Sequence, residues 1–167
     1  MQVNNKADSI LFLSLISGRN AEMLIGKQVI TAPILKQSSL EVLPTGYMLI
    51  DSGKPTTVSY MSNTTPIPRD KPDIAACTAL AGTMLGHNLI YMDAGSGAKL
   101  PISPDMIKQV RKYIDCPLII GGGIKNKKQL FDACNAGGDI IVVGNVFEKK
   151  PEMIIEFGDF FKSRSYI

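Results

Sequence analysis

The sequence predicts an α/β fold in which parallel β-strands alternate with α-helices. Short, continuously apolar runs of strand length recur along the chain, and helix-compatible segments lie between them. Continuous apolarity is typical of strands that are buried on both faces, as in a parallel sheet covered by helices. The alternation predicts repeated βα units with right-handed crossovers. Because no low-complexity tract or linker divides the 167 residues, we expect one domain over residues 1–167.

Five apolar runs are predicted to be strands because Gly, Pro, Asn or Asp bounds each of them. The clearest is the run of isoleucines and valines at 140–143. The predicted strands cover residues 9–15, 47–50, 89–92, 118–120 and 140–143.

Four segments are predicted to be helices. One opens with Ser103 as N-cap and Pro104 at the first helical position, and both residues favour a helix start there. Another carries a common apolar face formed by Ile74, Cys77, Ala81 and Leu85. The predicted helices cover residues 73–85, 104–114, 126–136 and 151–161. The long polar stretch 53–70 is expected to be a lid, a binding loop or a disordered segment.

Two architectures fit this alternation. An open doubly wound sheet accommodates five strands, whereas a closed (β/α)8 barrel needs eight strands and typically about 250 residues. Chain length favours the open sheet. The glycine-rich loops after the strands favour the barrel, because the loops after its last two strands form a recurrent phosphate site.

Charge and cysteine content limit the function classes. A net charge of +3 with scattered lysines gives no argument for a nucleic-acid partner. Cys77, Cys116 and Cys134 lack CxxC spacing, and the lone His87 completes no zinc pattern with them. We expect reduced core thiols in a cytoplasmic protein. No apolar run approaches the roughly 20 residues of a transmembrane helix, and no signal peptide is recognisable at the N-terminus.

Three glycine-rich turns each follow a predicted strand. Glycine lets the backbone approach a ligand closely and present N–H groups that a phosphate accepts as donors. A single such turn could be structural, because tight βα turns often need glycine, but three in succession predict a phosphate site. The turns are Ala94-Gly95-Ser96-Gly97, Gly121-Gly122-Gly123 and Gly144-Asn145.

Asp93 ends its strand immediately before the first of these turns. A carboxylate at the mouth of a parallel sheet can orient or deprotonate a substrate hydroxyl, although Asp is also a common turn cap. Tyr91 points to the same side of the sheet, where it can face a polyol with Asp93 or fill the barrel core. Ser96 has no Ser-His-Asp partners, because His87 lies at the far end of the strand, so nucleophilic hydrolysis is disfavoured.

Three segments together resemble one enzyme family: LIYMDAGSGA at 89–98, PLIIGGGI at 117–124 and AGGDIIVVGN at 136–145. They are similar to the geranylgeranylglyceryl phosphate synthase family, which includes the bacterial PcrB-like heptaprenylglyceryl phosphate synthases. The segment at 7–20 looks like the fourth barrel strand and its loop in that family.

The resemblance implies a TIM (β/α)8 barrel of which this chain carries the C-terminal five βα units, including the phosphate-binding half. It implies a prenyltransferase that joins a polyprenyl group, geranylgeranyl or longer, from its diphosphate to the 3-hydroxyl of sn-glycerol 1-phosphate with Mg2+. Tyr91 and Asp93 are then the catalytic residues that hold the glycerol hydroxyls. The glycerol phosphate site implied by the family pattern comprises Tyr91, Asp93, Ala94, Gly95, Ser96, Gly97, Gly121, Gly122, Gly123, Gly144 and Asn145.

The chain departs from the family pattern in two respects. Asp93 stands where the family more usually has Glu, which shortens the reach by one methylene. The family's first three strands, with the residues expected to bind magnesium diphosphate, have no counterpart before Ala7, so no Mg2+ ligands are identified in this chain.

Two other functions stay open at this point: another phosphate-binding barrel enzyme, such as a sugar-phosphate isomerase, and a non-catalytic phosphate-binding partial barrel. A truncated barrel has two unpaired strand edges, which predicts a homo-oligomer. The lipid product allows peripheral membrane contact.

Overall fold

The computed structural model describes residues 3–162, with side chains to residue 160, and contains one parallel sheet in that range. Its strands are β1 (Ser9–Leu15), β2 (Glu41–Leu49), β3 (Leu89–Asp93), β4 (Leu118–Gly121) and β5 (Ile140–Val142). All neighbouring pairs are parallel, and the order across the sheet is β1-β2-β3-β4-β5. An open doubly wound sheet reverses its strand order at a switch point. The unreversed order is that of a (β/α)8 barrel, and five of its βα units are present.

Helices connect and follow these strands. A π-helical turn (Glu22–Gly26) leads directly into α1 (Lys27–Lys36). The remaining helices are α2 (Thr57–Met61), α3 (Pro72–Met84), α4 (Pro104–Arg111), α5 (Lys127–Asn135), α6 (Asn145–Lys149) and α7 (Met153–Lys162). The Ser103 side chain accepts a hydrogen bond from the Met106 N–H at the start of α4, which confirms the predicted N-cap. Over residues 3–162, no helix has the length and apolar character needed to cross a membrane.

β2 starts six residues before its predicted beginning, at Glu41 rather than Tyr47. This part of the strand was not predicted because it contains Pro44 and Gly46, and both residue types are depleted in strands. Gly46 is required by close packing, since a Cβ there would lie 2.8 Å from Ile16 Cδ1.

The face of α3 that packs against the sheet is opposite to the apolar face predicted from the sequence. Its buried residues are small, namely Ala75, Ala76, Ala79 and Gly82. A Cβ at Gly82 would lie 2.7 Å from Ile16 Cδ1, so the helix approaches the sheet too closely for larger side chains. Ile74 and Leu85 on the predicted face are 44% and 78% exposed, and Cys77 is exposed as well, so its assignment as a core thiol is wrong.

The main core lies between the sheet and its helices. Met48, Ile90, Met92 and Ile120 on one face of the sheet are fully buried against α3 and α4 residues such as Ile107. Each such side chain contributes about 1.5–3 kcal/mol when it leaves water.

The polar stretch 53–70 is ordered next to the ends of the strands. Thr56 and Ser59 form a reciprocal capping box at the start of α2, and Ile67 forms a β-bridge with Ile50. Thr56 also packs beside the turn after β3, where a Cβ on Gly95 would lie 2.8 Å from Thr56 Cγ2. The segment therefore supports the first glycine-rich turn from outside.

Candidate functional site

A cavity of about 580 Å³ lies at the C-terminal ends of β3, β4 and β5. Nine of the predicted site residues line it: Tyr91, Asp93, Gly95, Ser96, Gly97, Gly122, Gly123, Gly144 and Asn145. The other two, Ala94 and Gly121, do not line it and instead tie β3 to β4, because the Ala94 N–H donates to the Gly121 carbonyl at 3.0 Å.

The turn after β4 requires glycine for two reasons. Gly122 and Gly123 have φ values of +81° and +75°, in the left-handed region that favours glycine. A Cβ on Gly122 would lie 2.7 Å from both Asp93 Oδ1 and the Gly95 nitrogen. A larger residue at this position would therefore displace Asp93 or the turn that follows it.

Asp93 is held from two sides and is 9% exposed. Its Oδ1 accepts a hydrogen bond from the Gly95 N–H at 2.8 Å, and its Oδ2 accepts one from the Tyr47 hydroxyl. Each carboxylate oxygen retains a further lone pair for a ligand hydroxyl. The arrangement fixes the direction of the carboxylate before any ligand arrives.

Tyr47 is the positioning residue that the sequence analysis missed. It lies opposite Tyr91 in the β2–β3 register, and the two rings pack edge to face with centroids 5.2 Å apart. Burial raises the pKa of both tyrosines well above the usual range, and the charge of Asp93 raises them further. Both hydroxyls therefore stay protonated, so Tyr47 donates to Asp93 and Tyr91 keeps a proton that it can donate to a ligand. Aligning the observed strand ends, Leu49 and Asp93, places Tyr47 opposite Tyr91, whereas the predicted ends at residues 50 and 92 place Tyr47 opposite Leu89.

Asn145 joins the turns after β3 and β5. Its Oδ1 accepts hydrogen bonds from the Gly97 N–H at 3.1 Å and the Ser96 hydroxyl at 3.4 Å. The donors predicted to hold phosphate thus already bind a neutral oxygen.

Three lysines converge on the cavity although they are scattered in the sequence. Lys125, Lys149 and Lys150 line it, and Lys125 Nζ donates to the Lys99 carbonyl at 3.1 Å. The position of Lys125 directly after the Gly-Gly-Gly-Ile turn was the available signal. The apolar part of the wall is formed by Ile124, Val142, Val143, Val146 and Met153.

The described residues contain no ready-made cluster of metal-ligand side chains. Over residues 3–162 no group of three or more His, Cys, Asp or Glu side chains could hold a metal ion. Asp93 is the carboxylate in the cavity wall, and both of its oxygens are engaged by protein donors.

Comparison with known proteins gives consistent matches. The chain is 58% identical over 154 residues to the geranylgeranylglyceryl phosphate synthase of Spirosoma linguale and 57% identical over 158 residues to that of Chitinophaga pinensis. These matches cover 92% and 95% of this chain but 62% and 63% of the relatives, so the chain spans about three fifths of their length.

A solved structure matches the fold. The crystal structure of (S)-3-O-geranylgeranylglyceryl phosphate synthase from Thermoplasma acidophilum, in complex with its substrate sn-glycerol-1-phosphate, superimposes with a TM-score of 0.90 at 31% identity. The match covers 99% of this chain and 66% of that one. The model of the PcrB family matches residues 1–159, nearly the whole chain. Because this family model covers well over half of the sequence, the chain belongs to the PcrB family.

Proposed function

We propose that this chain forms the sn-glycerol 1-phosphate site of a prenyltransferase that makes an ether between a polyprenyl diphosphate and the glycerol 3-hydroxyl. The observation that carries the proposal is the cavity, which brings donors for a phosphate and a fixed carboxylate together. The complex of the Thermoplasma acidophilum enzyme with sn-glycerol-1-phosphate supports the choice of ligand.

The phosphate end of the ligand is assigned to the three glycine-rich turns. Backbone N–H groups there, the Ser96 hydroxyl and Lys125 supply donors and positive charge for a dianion. The phosphate would replace the Asn145 carbonyl as the acceptor for Ser96 and Gly97.

The glycerol end is assigned to Tyr91 and Asp93. In the transfer step, the glycerol 3-hydroxyl oxygen bonds to the first carbon of the prenyl chain. The bond from that carbon to the diphosphate breaks, and its electron pair leaves with the diphosphate. The hydroxyl proton passes to the Asp93 carboxylate, which Tyr47 and the Gly95 N–H hold in place.

The polyprenyl donor and the Mg2+ dependence are proposals that rest on the family. Residues 3–162 contain no group of three or more metal-ligand side chains, so no residue in this range is assigned to Mg2+. A cytoplasmic location likewise remains a prediction.

A role in glycerol phosphate binding without catalysis is the second candidate. In this case the chain binds glycerol phosphate but transfers no prenyl group. The two candidates share a binding site and differ in turnover.

Calorimetry with sn-glycerol 1-phosphate tests the binding proposal, with sn-glycerol 3-phosphate and inorganic phosphate as controls. We expect the 1-phosphate to bind more tightly than both. Equal affinity for inorganic phosphate would refute a glycerol-binding end.

Radiolabelled sn-glycerol 1-phosphate, geranylgeranyl or heptaprenyl diphosphate and Mg2+ then test transfer. A full-length protein that contains this chain should form the labelled ether, and its Asp93→Asn variant should not. Binding without transfer by the full-length protein would establish the non-catalytic candidate.

A further inference from the structure

We propose that the end of the sheet that carries the candidate site docks onto an anionic lipid bilayer. The contact surface, which we call the cationic rim, consists of the side chains of Lys54, Arg69, Lys99 and Lys125 around the segment 99–101. The choice of a bilayer over another polyanion rests on the proposed function, in which one substrate and the product carry a polyprenyl chain.

Two of these cations bind the segment 99–101 through its backbone. Lys125 Nζ donates to the Lys99 carbonyl at 3.1 Å, and Arg69 Nη1 donates to the Pro101 carbonyl. Lys125 follows β4 and Arg69 lies between β2 and α3, whereas the segment itself belongs to the loop after β3. In a barrel these loops lie together at the carboxyl ends of the strands. The fold therefore gathers cations that are scattered in the sequence.

Lys54 lies beside the same segment, in the loop after β2. It directly follows Gly53, where a Cβ would lie 4.0 Å from Lys99 Cδ. The Leu100 N–H donates to the Ser52 carbonyl at 3.2 Å, which joins the two loops to each other. Lys54 and Lys99 are both exposed, so their charges are available to a partner.

Charge is distributed unequally between the two ends of the strands. Outside helical turns, the connections from β1–β4 to α1, α3, α4 and α5 carry six cations against two carboxylates, Asp51 and Asp70. The first helical turns that follow carry equal numbers of lysines and carboxylates. The loops that lead from helices into β2–β5 carry one cation, Lys112, against Asp115 and Asp139. Since no ion pair within residues 3–162 includes a rim residue, the end with the candidate site presents net positive charge.

Exposed apolar side chains lie among these cations. Leu100, inside the segment 99–101, is 41% exposed, and Tyr60 and Met61 on α2 are 84% and 68% exposed. Cations combined with tyrosine and aliphatic side chains are typical of surfaces that bind the bilayer interface. The cations contact the headgroups, and the apolar groups enter the boundary with the acyl chains.

The rim begins at the cavity and extends beyond it. Lys125 lines the cavity, whereas Lys54 and Lys99 are not among its lining residues. A single glycerol phosphate held by the glycine-rich turns therefore leaves the charges of Lys54 and Lys99 for another anion. Docking would place the cavity mouth at the lipid surface, where a polyprenyl chain can enter without exposure of its apolar surface to water.

Vesicle flotation tests the proposal with the full 167-residue chain. We expect binding to vesicles of phosphatidylcholine that contain about one third phosphatidylglycerol, and little binding to pure phosphatidylcholine. High salt should release the protein, because the attraction is screened beyond a Debye length of about 3 Å at 1 M salt. Equal binding to both kinds of vesicle, or binding to neither, would overturn the proposal.

Tryptophan fluorescence locates the contact. The sequence contains no tryptophan, so Tyr60→Trp introduces a single reporter on α2. Tyr113→Trp is the matched control, because Tyr113 is 44% exposed in a loop that leads from a helix into a strand. Anionic vesicles with brominated acyl chains should quench the reporter at residue 60 and leave the one at residue 113 unchanged. Equal quenching at both positions would refute the assigned orientation and with it the rim.

Charge variants test the rim itself. Each lysine near an anionic surface strengthens binding roughly fivefold, so Lys54→Ser combined with Lys99→Ser should weaken vesicle binding roughly 25-fold. Lys108→Ser combined with Lys112→Ser removes the same charge from exposed positions on and after α4, and it should weaken binding less than about threefold. Equal weakening by the two double variants would show that net charge, and not the rim, attracts the protein.

The outcomes for docking and for the proposed function can be distinguished. Calorimetry with sn-glycerol 1-phosphate should give the same affinity for Lys54→Ser combined with Lys99→Ser as for the unmodified chain, because neither lysine lines the cavity. Vesicle binding without glycerol phosphate binding would refute the proposed function alone, and glycerol phosphate binding without vesicle binding would refute docking alone. Displacement of the vesicles by a single-stranded oligonucleotide at lower concentration than lipid would identify a nucleic acid as the partner and overturn the proposal.

Discussion

Removing the Tyr47 hydroxyl should lower both the stability of the protein and its affinity for sn-glycerol 1-phosphate, while the Tyr47 ring keeps its packing. Tyr47→Phe keeps the ring that packs 5.2 Å from Tyr91 but deletes the donor to Asp93 Oδ2. A hydrogen bond to a charged group contributes about 1.5–3 kcal/mol. Asp93 keeps the Gly95 N–H and water can replace the hydroxyl at the cavity, so we expect a loss of about 1.5 kcal/mol in the free energy of unfolding.

Urea unfolding measures this loss, and calorimetry measures the effect on sn-glycerol 1-phosphate binding. Because the carboxylate loses its fixed direction, we expect affinity to fall roughly tenfold. Tyr60→Phe is the matched control, since Tyr60 is 84% exposed and should change unfolding by less than about 0.5 kcal/mol. If the two variants behave alike, Tyr47 does not position Asp93.

Three further predictions concern pH and the glycine turns. Folding raises the pKa of Tyr47 and Tyr91 above 10.0, so the unfolded chain loses these protons at lower pH than the folded one. The free energy of unfolding should therefore fall as pH rises above 10, and it should fall less steeply in Tyr47→Phe. Urea unfolding that shows no such fall over this pH range would contradict the prediction. Gly144→Ala adds a methyl group that meets no protein atom within 4 Å, and calorimetry should show weaker glycerol phosphate binding. Because the φ of −107° and ψ of −92° at Gly144 lie outside the main allowed regions, some loss of stability is expected as well. Gly158→Ala on α7, equally free of contacts, should bind normally. Asn145→Asp places a carboxylate on the Ser96 and Gly97 donors and should abolish binding of inorganic phosphate, and retained binding would show that phosphate uses other donors.

The sequence predicted those parts of the fold in which local pattern and tertiary packing agree. β1 is observed at its predicted bounds because apolar residues and turn formers delimit it clearly. α1 was not predicted, since it carries Pro33 inside the helix and has little apolar periodicity. The face of α3 was misread because its packing depends on small residues, which carry a weak hydrophobic signal.

The residues of the candidate site were likewise predictable only in part. The glycine turns were predictable because backbone conformation there restricts the residue type, as the φ of +81° at Gly122 illustrates. Tyr47 and the three lysines were not, because their proximity to the site depends on strand register and on loops that meet only in the folded chain.

The side-chain oxygen of Asn145 accepts from the Ser96 and Gly97 donors and therefore competes with a ligand for them. A tethered neutral oxygen has a high effective concentration, so a weak external acceptor such as a sugar hydroxyl gains little by displacing it. A phosphate oxygen forms stronger, charge-assisted bonds and can displace it. When a ligand leaves, Asn145 can again accept the hydrogen bonds from Ser96 and Gly97. Selectivity for anions and rapid release of the bound molecule would thus come from one side chain.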